Sequence, residues 1–153
     1  MHASSRFGAV LLYGALLAAG GAAAAEPEPS AGDCFAAAFK SGNADAVAAC
    51  YAEDAIIWFP GGSMAKGRTA IRDGFAHFLG GMTVKDAVLT TIDEVAMGDT
   101  RTAWGTYVIT VVDKATKAET VQSGRFTDVS KKIDGRWVYI VDHPSDDPAP
   151  AAE

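Results

Sequence analysis

Histidine, cysteine and basic residues are all scarce in this chain, and each scarcity removes a class of function. It has only 3 histidines and 2 cysteines. They form no His/Cys/carboxylate cluster at metal-ligand spacing, so no dedicated metal site is expected. Lys and Arg number 13 against 19 Asp and Glu, a formal charge of -6 with no basic stripe. Nucleic acid and anionic membrane surfaces are poor partners for such a surface. No phosphate-cradling glycine loop, nucleophile elbow or dinucleotide fingerprint occurs, so no cofactor is expected, and Gly61-Gly62 and Gly80-Gly81 read as turns.

The amino-terminal stretch has its own logic. Arg6 precedes an apolar run from Phe7 to Ala19, and a Gly/Ala stretch ends in Ala23-Ala24-Ala25 before Glu26-Pro27-Glu28-Pro29. This is the layout of a secretory signal, residues 1–25, cut after Ala25, which would place the protein in the periplasm or outside the cell. An uncleaved anchor is the alternative, since the run could just span a bilayer. Loss of Arg6 leaves 12 of the 13 basic residues and moves the charge from -6 to -7. Residues 26–30 read as a flexible lead-in, 31–145 as one domain with one core, and 146–153 as a frayed acidic, proline-containing tail.

Export would make a disulfide chemically possible. Ser30 to Asp33 resembles a capping box that opens a helix carrying Phe35 and Phe39 one turn apart. Gly42 then stops that helix and Asn43 starts a second, from Ala44 to Tyr51. Cys34 and Cys50 flank Gly42 at equal distances and come level in an antiparallel helical hairpin. A bridge closing that 16-residue separation would contribute about 3 kcal/mol in the loop-entropy picture; two buried thiols are the alternative.

Downstream, Asp54 to Pro60 reads as a strand and turn, and Gly67 to Leu79 as a helix with Ile71, Phe75, Phe78 and Leu79 inward. His77 then points outward. Long strands follow over Thr83 to Met97, Thr100 to Val112 and Glu119 to His143, with Gly105 and Gly124 marking bulges or sharp bends. Helices first and an antiparallel meander after give an α+β fold, a cone whose curved antiparallel sheet is covered on its concave face by the N-terminal helices.

The last strand pair is a hairpin closed by Asp134-Gly135, which tolerates the backbone of a two-residue turn. With 133 facing 136 and the register continued, Phe126, Asp128, Ser130, Trp137, Tyr139, Val141 and His143 share one face. Arg125, Thr127, Val129, Val138, Ile140 and Asp142 share the other. That register sets Asp128 diagonally beside His143 and Arg125 beside Asp142.

The stretch from Phe35 to Ala55, then Lys66-Gly-Arg-Thr-Ala-Ile71, then Asp134-Gly-Arg-Trp137 through Asp142-His143-Pro-Ser145, resembles the nuclear transport factor 2-like superfamily. More narrowly it is similar to SnoaL-like and SgcJ/EcaC-type small domains, related to ketosteroid isomerase and to the calcium/calmodulin-dependent kinase association domain. The resemblance implies the same cone and a pocket between helices and sheet. It does not carry over the isomerase mechanism. The isomerase's catalytic Asp, before the Pro that ends its strand, falls on Phe59, which holds no proton. Its second acid falls near Thr127, and its helix-one Tyr has no counterpart among Phe35, Ala38 and Phe39.

The candidates for chemistry are therefore His143 with Asp142 or Asp128, since an imidazole beside a carboxylate suits proton transfer near neutral pH; a structural histidine at a strand end is the alternative. Tyr51, Trp58, Phe59, Phe75, Trp104, Thr106, Arg125 and Thr127 are the candidates for a ligand-binding lining, with Met64 and Tyr107 as further apolar stock. Glu53-Asp54 would pair with Arg68 or Arg72. Three functions remain open: acid/base chemistry on a small apolar molecule, non-catalytic binding of one, or homo-oligomeric association through the outer sheet face. Apolar residues on both faces of Thr102 to Val112 make a homodimer the expected state.

Overall fold

The computed structural model describes residues 28–148; the expected signal segment and its cleavage point lie outside them. The elements are α1 (Ala31–Lys40), α2 (Ala44–Ala48), β1 (Tyr51–Trp58), β2 (Met64–Lys66), α3 (Arg68–Gly81), β3 (Met82–Met97), β4 (Thr100–Asp113), β5 (Glu119–Ile133) and β6 (Arg136–Asp146). The strands form one curved six-stranded sheet in the order β2-β1-β6-β5-β4-β3, antiparallel except where β1 runs parallel to β6. The helices cover its concave face, as the α+β cone reading requires.

Local chemistry sets the helix ends. Ser30 caps α1 through a complete capping box: its hydroxyl accepts from the Asp33 amide at 3.1 Å, and the Asp33 carboxylate accepts from the Ser30 amide at 2.8 Å. Asn43 caps α2 by accepting from Asp45 and Ala46. α2 is shorter than its sequence pattern suggested, because the Cys50 carbonyl accepts from the Tyr139 amide at 2.9 Å and so starts the sheet. Tyr51 is thereby a strand residue facing Tyr139. A disulfide joins Cys34 to Cys50 with Cα atoms 5.8 Å apart, tying α1 to the start of β1.

Stacked aromatics fill the space between layers. Phe35 lies 5.2 Å from Phe39 and 5.6 Å from Phe75, and Tyr51 lies 5.2 Å from Tyr139. Ile71, Phe75 and Leu79 form the buried face of α3, while His77 is exposed. Arg68 donates to Glu53 and to the Tyr51 carbonyl, whereas Arg72 pairs with Asp45 and Asp73.

The chain departs from its expected ends as well. β6 continues through Asp146, whose carboxylate accepts from the Tyr107 hydroxyl at 2.6 Å, and the Asp147 amide donates to the Ser123 carbonyl. Backbone pairing thus extends past residue 145. At the other end Glu28 pairs with Lys132 at 2.6 Å.

Gly105 and Gly124 do not themselves interrupt pairing with the neighbouring strand of the β4–β5 ladder. They permit close approach, and Gly105 also lies opposite the β3 bulge between Thr91 and Asp93. A Cβ on Gly105 would collide with the Thr90 carbonyl oxygen, and one on Gly124 with the Ser145 carbonyl oxygen and the Tyr107 ring. Register shifts fall at Val84/Asp86 and Thr91/Asp93, where β3 carries an extra residue, and between Val129 and Ser130 of β5.

Candidate active site

The shift beside Val129 determines which acids meet. From the Asp134-Gly135 turn the hairpin follows the expected register as far as Ser130 opposite Tyr139. Ile140 is then left over as a bulge, and Val129 faces Val141, Asp128 faces Asp142 and Thr127 faces His143. One inserted residue inverts the facing of everything beyond it. Asp142 consequently turns to the concave side with Asp128, and His143 turns to the outer face. The expected Asp128–His143 neighbourhood does not form. Nor does the Arg125–Asp142 pair, since Arg125 pairs with Asp147 at 3.3 Å on the surface.

On the concave side a cavity of about 220 Å³ opens between the helices and the sheet. Phe35, Phe59, Phe75, Phe126 and Tyr139 supply much of its apolar wall, and Asp128 and Asp142 supply carboxyl groups to it. Phe59 lies against Gly74 of α3, where a Cβ would meet its ring at 2.6 Å, so the absent side chain is what seats Phe59 in the wall. Residues directly opposite on adjacent antiparallel strands hold their Cβ atoms about 5 Å apart. The two carboxyl groups are therefore neighbours.

Their surroundings differ. Asp142 is 8% exposed and accepts a 2.7 Å hydrogen bond from the buried Tyr51 hydroxyl. Asp128 is 5% exposed and has no hydrogen-bond partner among the described residues. Burial is the largest cause of the upward shift at both. It raises Asp128 to about 7, with further contributions from the Asp142 and Glu94 charges. It raises Asp142 to about 6, against opposing contributions from the Tyr51 hydrogen bond and the nearby His143. Desolvation disfavours a buried carboxylate, and a second carboxylate beside it adds repulsion. The same effects hold the Tyr51 and Tyr139 hydroxyls well above their ordinary values, so both remain protonated donors.

Asp128 also borders a second, more polar cavity of about 310 Å³ between α1 and strands β3 and β4, which includes Asp33, Lys40, Glu94 and Arg101. Arg101 is engaged there: its guanidinium lies 4.3 Å over the Trp137 ring and 3.4 Å from Glu94.

The sequence candidates thus divide between two faces. Phe59, Phe75, Asp128 and Asp142 line the first cavity, with Tyr51 buried behind Asp142. Trp104, Thr127 and His143 form one cross-strand row on the outer face, with Thr106 opposite Arg125 beside it. Trp58 is exposed and places its ring 5.6 Å from that of His143. Sequence reasoning missed Tyr139 and Phe126 as wall residues and the Tyr107–Asp146 pair at the cavity's edge. The inward phase of Tyr107 in the alternation of β4 was the available signal. Among the described residues no group of three or more His, Cys, Asp or Glu side chains is placed to hold a metal ion.

A curved sheet covered on its concave face by helices is the nuclear transport factor 2-like arrangement, and solved structures match that fold. An inferred calcium/calmodulin dependent protein kinase II association domain from Xanthomonas campestris is 27% identical, with 76% of this chain and 83% of that one covered at a TM-score of 0.61. A ketosteroid isomerase-like protein from Erwinia carotovora atroseptica is 21% identical over 77% of this chain and 92% of its own, at a TM-score of 0.69. An inferred dehydratase of the NTF2-like family from Streptomyces avermitilis is 17% identical over 78% and 93%, at 0.66. The last two establish likeness of fold alone. The SnoaL-like domain family matches residues 33–140, and the chain belongs to it. No curated protein matches the chain.

Proposed function

We propose that this domain binds a small hydrophobic molecule in the aromatic cavity and transfers a proton on it through the Asp128–Asp142 pair. The observation that carries this reading is the direct opposition of the two acids on the cavity face. Asp142, held by Tyr51, is the more acidic member and serves as base. Asp128 retains its proton to higher pH and serves as acid. Two carboxyl groups whose surroundings separate their proton affinities can divide those roles near neutral pH. Phe59 removes the base that the isomerase resemblance would have supplied elsewhere, which leaves the acid pair as the group able to move a proton in this cavity.

The test is proton exchange at carbon next to a carbonyl, followed by NMR in deuterated buffer across a panel of small cyclic ketones. Asp142→Asn is expected to lower exchange by about 100-fold or more, and His143→Ala to leave it within a factor of two or three. Exchange that depends on His143 but not on Asp142 would sink the assignment.

A second reading concerns assembly and is compatible with the first. Val88 faces Val108 on the outer side of the sheet, Trp58 and Val95 are exposed on the same side, and Ile92 is exposed at a β3 bulge. Such a surface suits a second copy of the chain, and the 27% identical association-domain relative favours it. Sedimentation at micromolar protein should give a dimer that Val108→Lys splits, whereas a monomer for the unaltered protein would dismiss the reading. Export is proposed on the same footing: the disulfide suits an oxidising compartment, and the intact mass of the mature protein should begin at Glu26.

A further inference from the structure

The charge inventory of the first cavity is one-sided. Asp128, Asp142 and Asp146 contribute to its lining, and no Lys, Arg or His does so among the described residues. Asp146 is occupied by the Tyr107 hydroxyl and Asp142 by that of Tyr51. Asp128 is nineteen-twentieths buried as a residue, but its carboxyl oxygens, which accept from no donor among the described residues, stay open to the cavity and are not sealed in the core. Nearby cations are committed elsewhere. Arg101 stacks on Trp137 and lies in an ion-pair contact with Glu94 at 3.4 Å, with its Nε making no hydrogen bond among the described residues. Lys40 pairs with Asp86 at 3.7 Å, and His143 lies on the outer face. An acid facing an apolar cavity without a protein donor takes its hydrogen bonds from whatever occupies that cavity, and a charged donor is the stronger partner. Around this spot stand the rings of Phe35, Phe75, Phe126 and Tyr139, whose electron-rich faces attract a cation.

We infer that the ligand is a small lipophilic amine, bound as its ammonium form with the charged group between Asp128 and Asp142 and the hydrocarbon body among the phenylalanines. The inference rests on the binding half of the proposed function alone and names the ligand class; with an ammonium seated there Asp128 is ionised and no longer serves as acid. A volume of about 220 Å³ lies below the range of roughly 300–1,000 Å³ that holds drug-sized ligands. The body is accordingly one or two rings. Apolar acids are excluded, because a ligand carboxylate would join three aspartates without a basic partner.

An ammonium ion takes the place of the proton that the acid pair otherwise retains, so binding ionises the pair. Amine affinity should therefore rise from pH 5 to pH 7.5, as protons cease to compete. A neutral ligand that accepts from a protonated acid should show the opposite slope. The titratable and charged groups around the pair are Tyr51 on β1, Glu94 on β3, Tyr107 and Arg101 on β4, Tyr139, His143 and Asp146 on β6, and Asp33 on α1. The tyrosines stay protonated throughout this interval. Because the His143 charge acts on Asp142, the profile is measured in His143→Gln as well, which should leave the rising slope in place.

The experiment is calorimetric titration of the disulfide-intact protein with three probes of matched length: 4-phenylbutylamine, 4-phenylbutan-1-ol and 4-phenylbutyrate. The amine should bind at least about tenfold more tightly than the alcohol, as expected for hydrogen bonds between charged groups, and the carboxylate most weakly. Asp128→Asn should reduce amine binding to the level of the alcohol, and a retained thermal transition will verify folding. Asp142→Asn supplies the same comparison if that variant is unstable. Equal or tighter binding of the alcohol would overturn the amine assignment while the cavity remained a ligand site. Failure of all three to bind at millimolar concentration would overturn both.

Discussion

Asp128 illustrates how one residue can contribute to a site at the expense of stability. Its proton affinity rises from the ordinary carboxylate value to about 7 in the folded protein, mainly through burial. A folded-state value above the unfolded one means that the native protein binds the extra proton between the two. Stability associated with this group is complete below about pH 4 and is lost as the pH rises through 7. Asp142, raised to about 6, acts in the same direction over a narrower interval. Asp128→Asn removes the ionisation without changing the shape. It should raise stability by about 1–3 kcal/mol at pH 8 and by almost nothing at pH 4, as read from urea midpoints at the two values. An equal effect at both would show that packing, and not ionisation, distinguishes the variant. The residue types of the site were legible in the sequence: both aspartates, Tyr51, Phe59 and Phe75 could be nominated. Their partnership was not. Trp137 to Val141 is an unbroken apolar run, and such a run carries no alternation from which a change of phase at Ile140 could be read.

At the scale of elements, the bulge and the two strand glycines have separate tasks. The glycines were read as marks of bulges or sharp bends: Gly105 faces the β3 bulge between Thr91 and Asp93, and both are places where backbone and rings come close. Gly105 lies where β3 passes nearest and where the Phe126 ring approaches within 2.8 Å of a hypothetical Cβ. Gly105→Ala must displace both the Thr90 carbonyl and that ring, and should cost about 1–3 kcal/mol by overpacking. Gly80→Ala, with open space around it, should be neutral or slightly stabilising in its helix. Thermal melts of the pair provide the comparison, and equal midpoints would contradict this account of curvature. Strands and helices were readable to within a few residues because turn pairs such as Gly98-Asp99 and Asp134-Gly135 punctuate them. The three-residue β2 was not, since Met64–Lys66 is too short to display a period and exists only by pairing with Ile56 to Trp58.

The molecule as a whole is secured at two distances along the chain. The Cys34–Cys50 bridge spans a sequence separation of 16 and restrains the unfolded chain by about 3 kcal/mol. Replacing both cysteines by serine should lower the thermal midpoint by about 10 °C for a domain of this size, and mild reduction of the parent should match it. A fall of only a degree or two would mean that the bridge adds little. The helical-hairpin spacing made this pairing readable. The parallel contact between β1 and β6 was not readable, because no local pattern in either strand records a partner so remote.

That remote contact governs when the site can exist. The Tyr51–Asp142 hydrogen bond connects residues 91 apart in sequence, while β3 to β6 follow one another as neighbours. Sequential hairpins close small loops, and a contact of long range is entropically late. The meander is expected to fold first, as an open trough with both acids on its floor. The amino-terminal third, already stapled by its own disulfide, then closes over them as a unit. Pulse-labelled hydrogen exchange during refolding should show amides of β4 and β5 protected before those of β1, and simultaneous protection would refute this order. Ligand-binding capacity should be the last property to return, so a chain could regain nearly all of its sheet and still be unable to hold its guest.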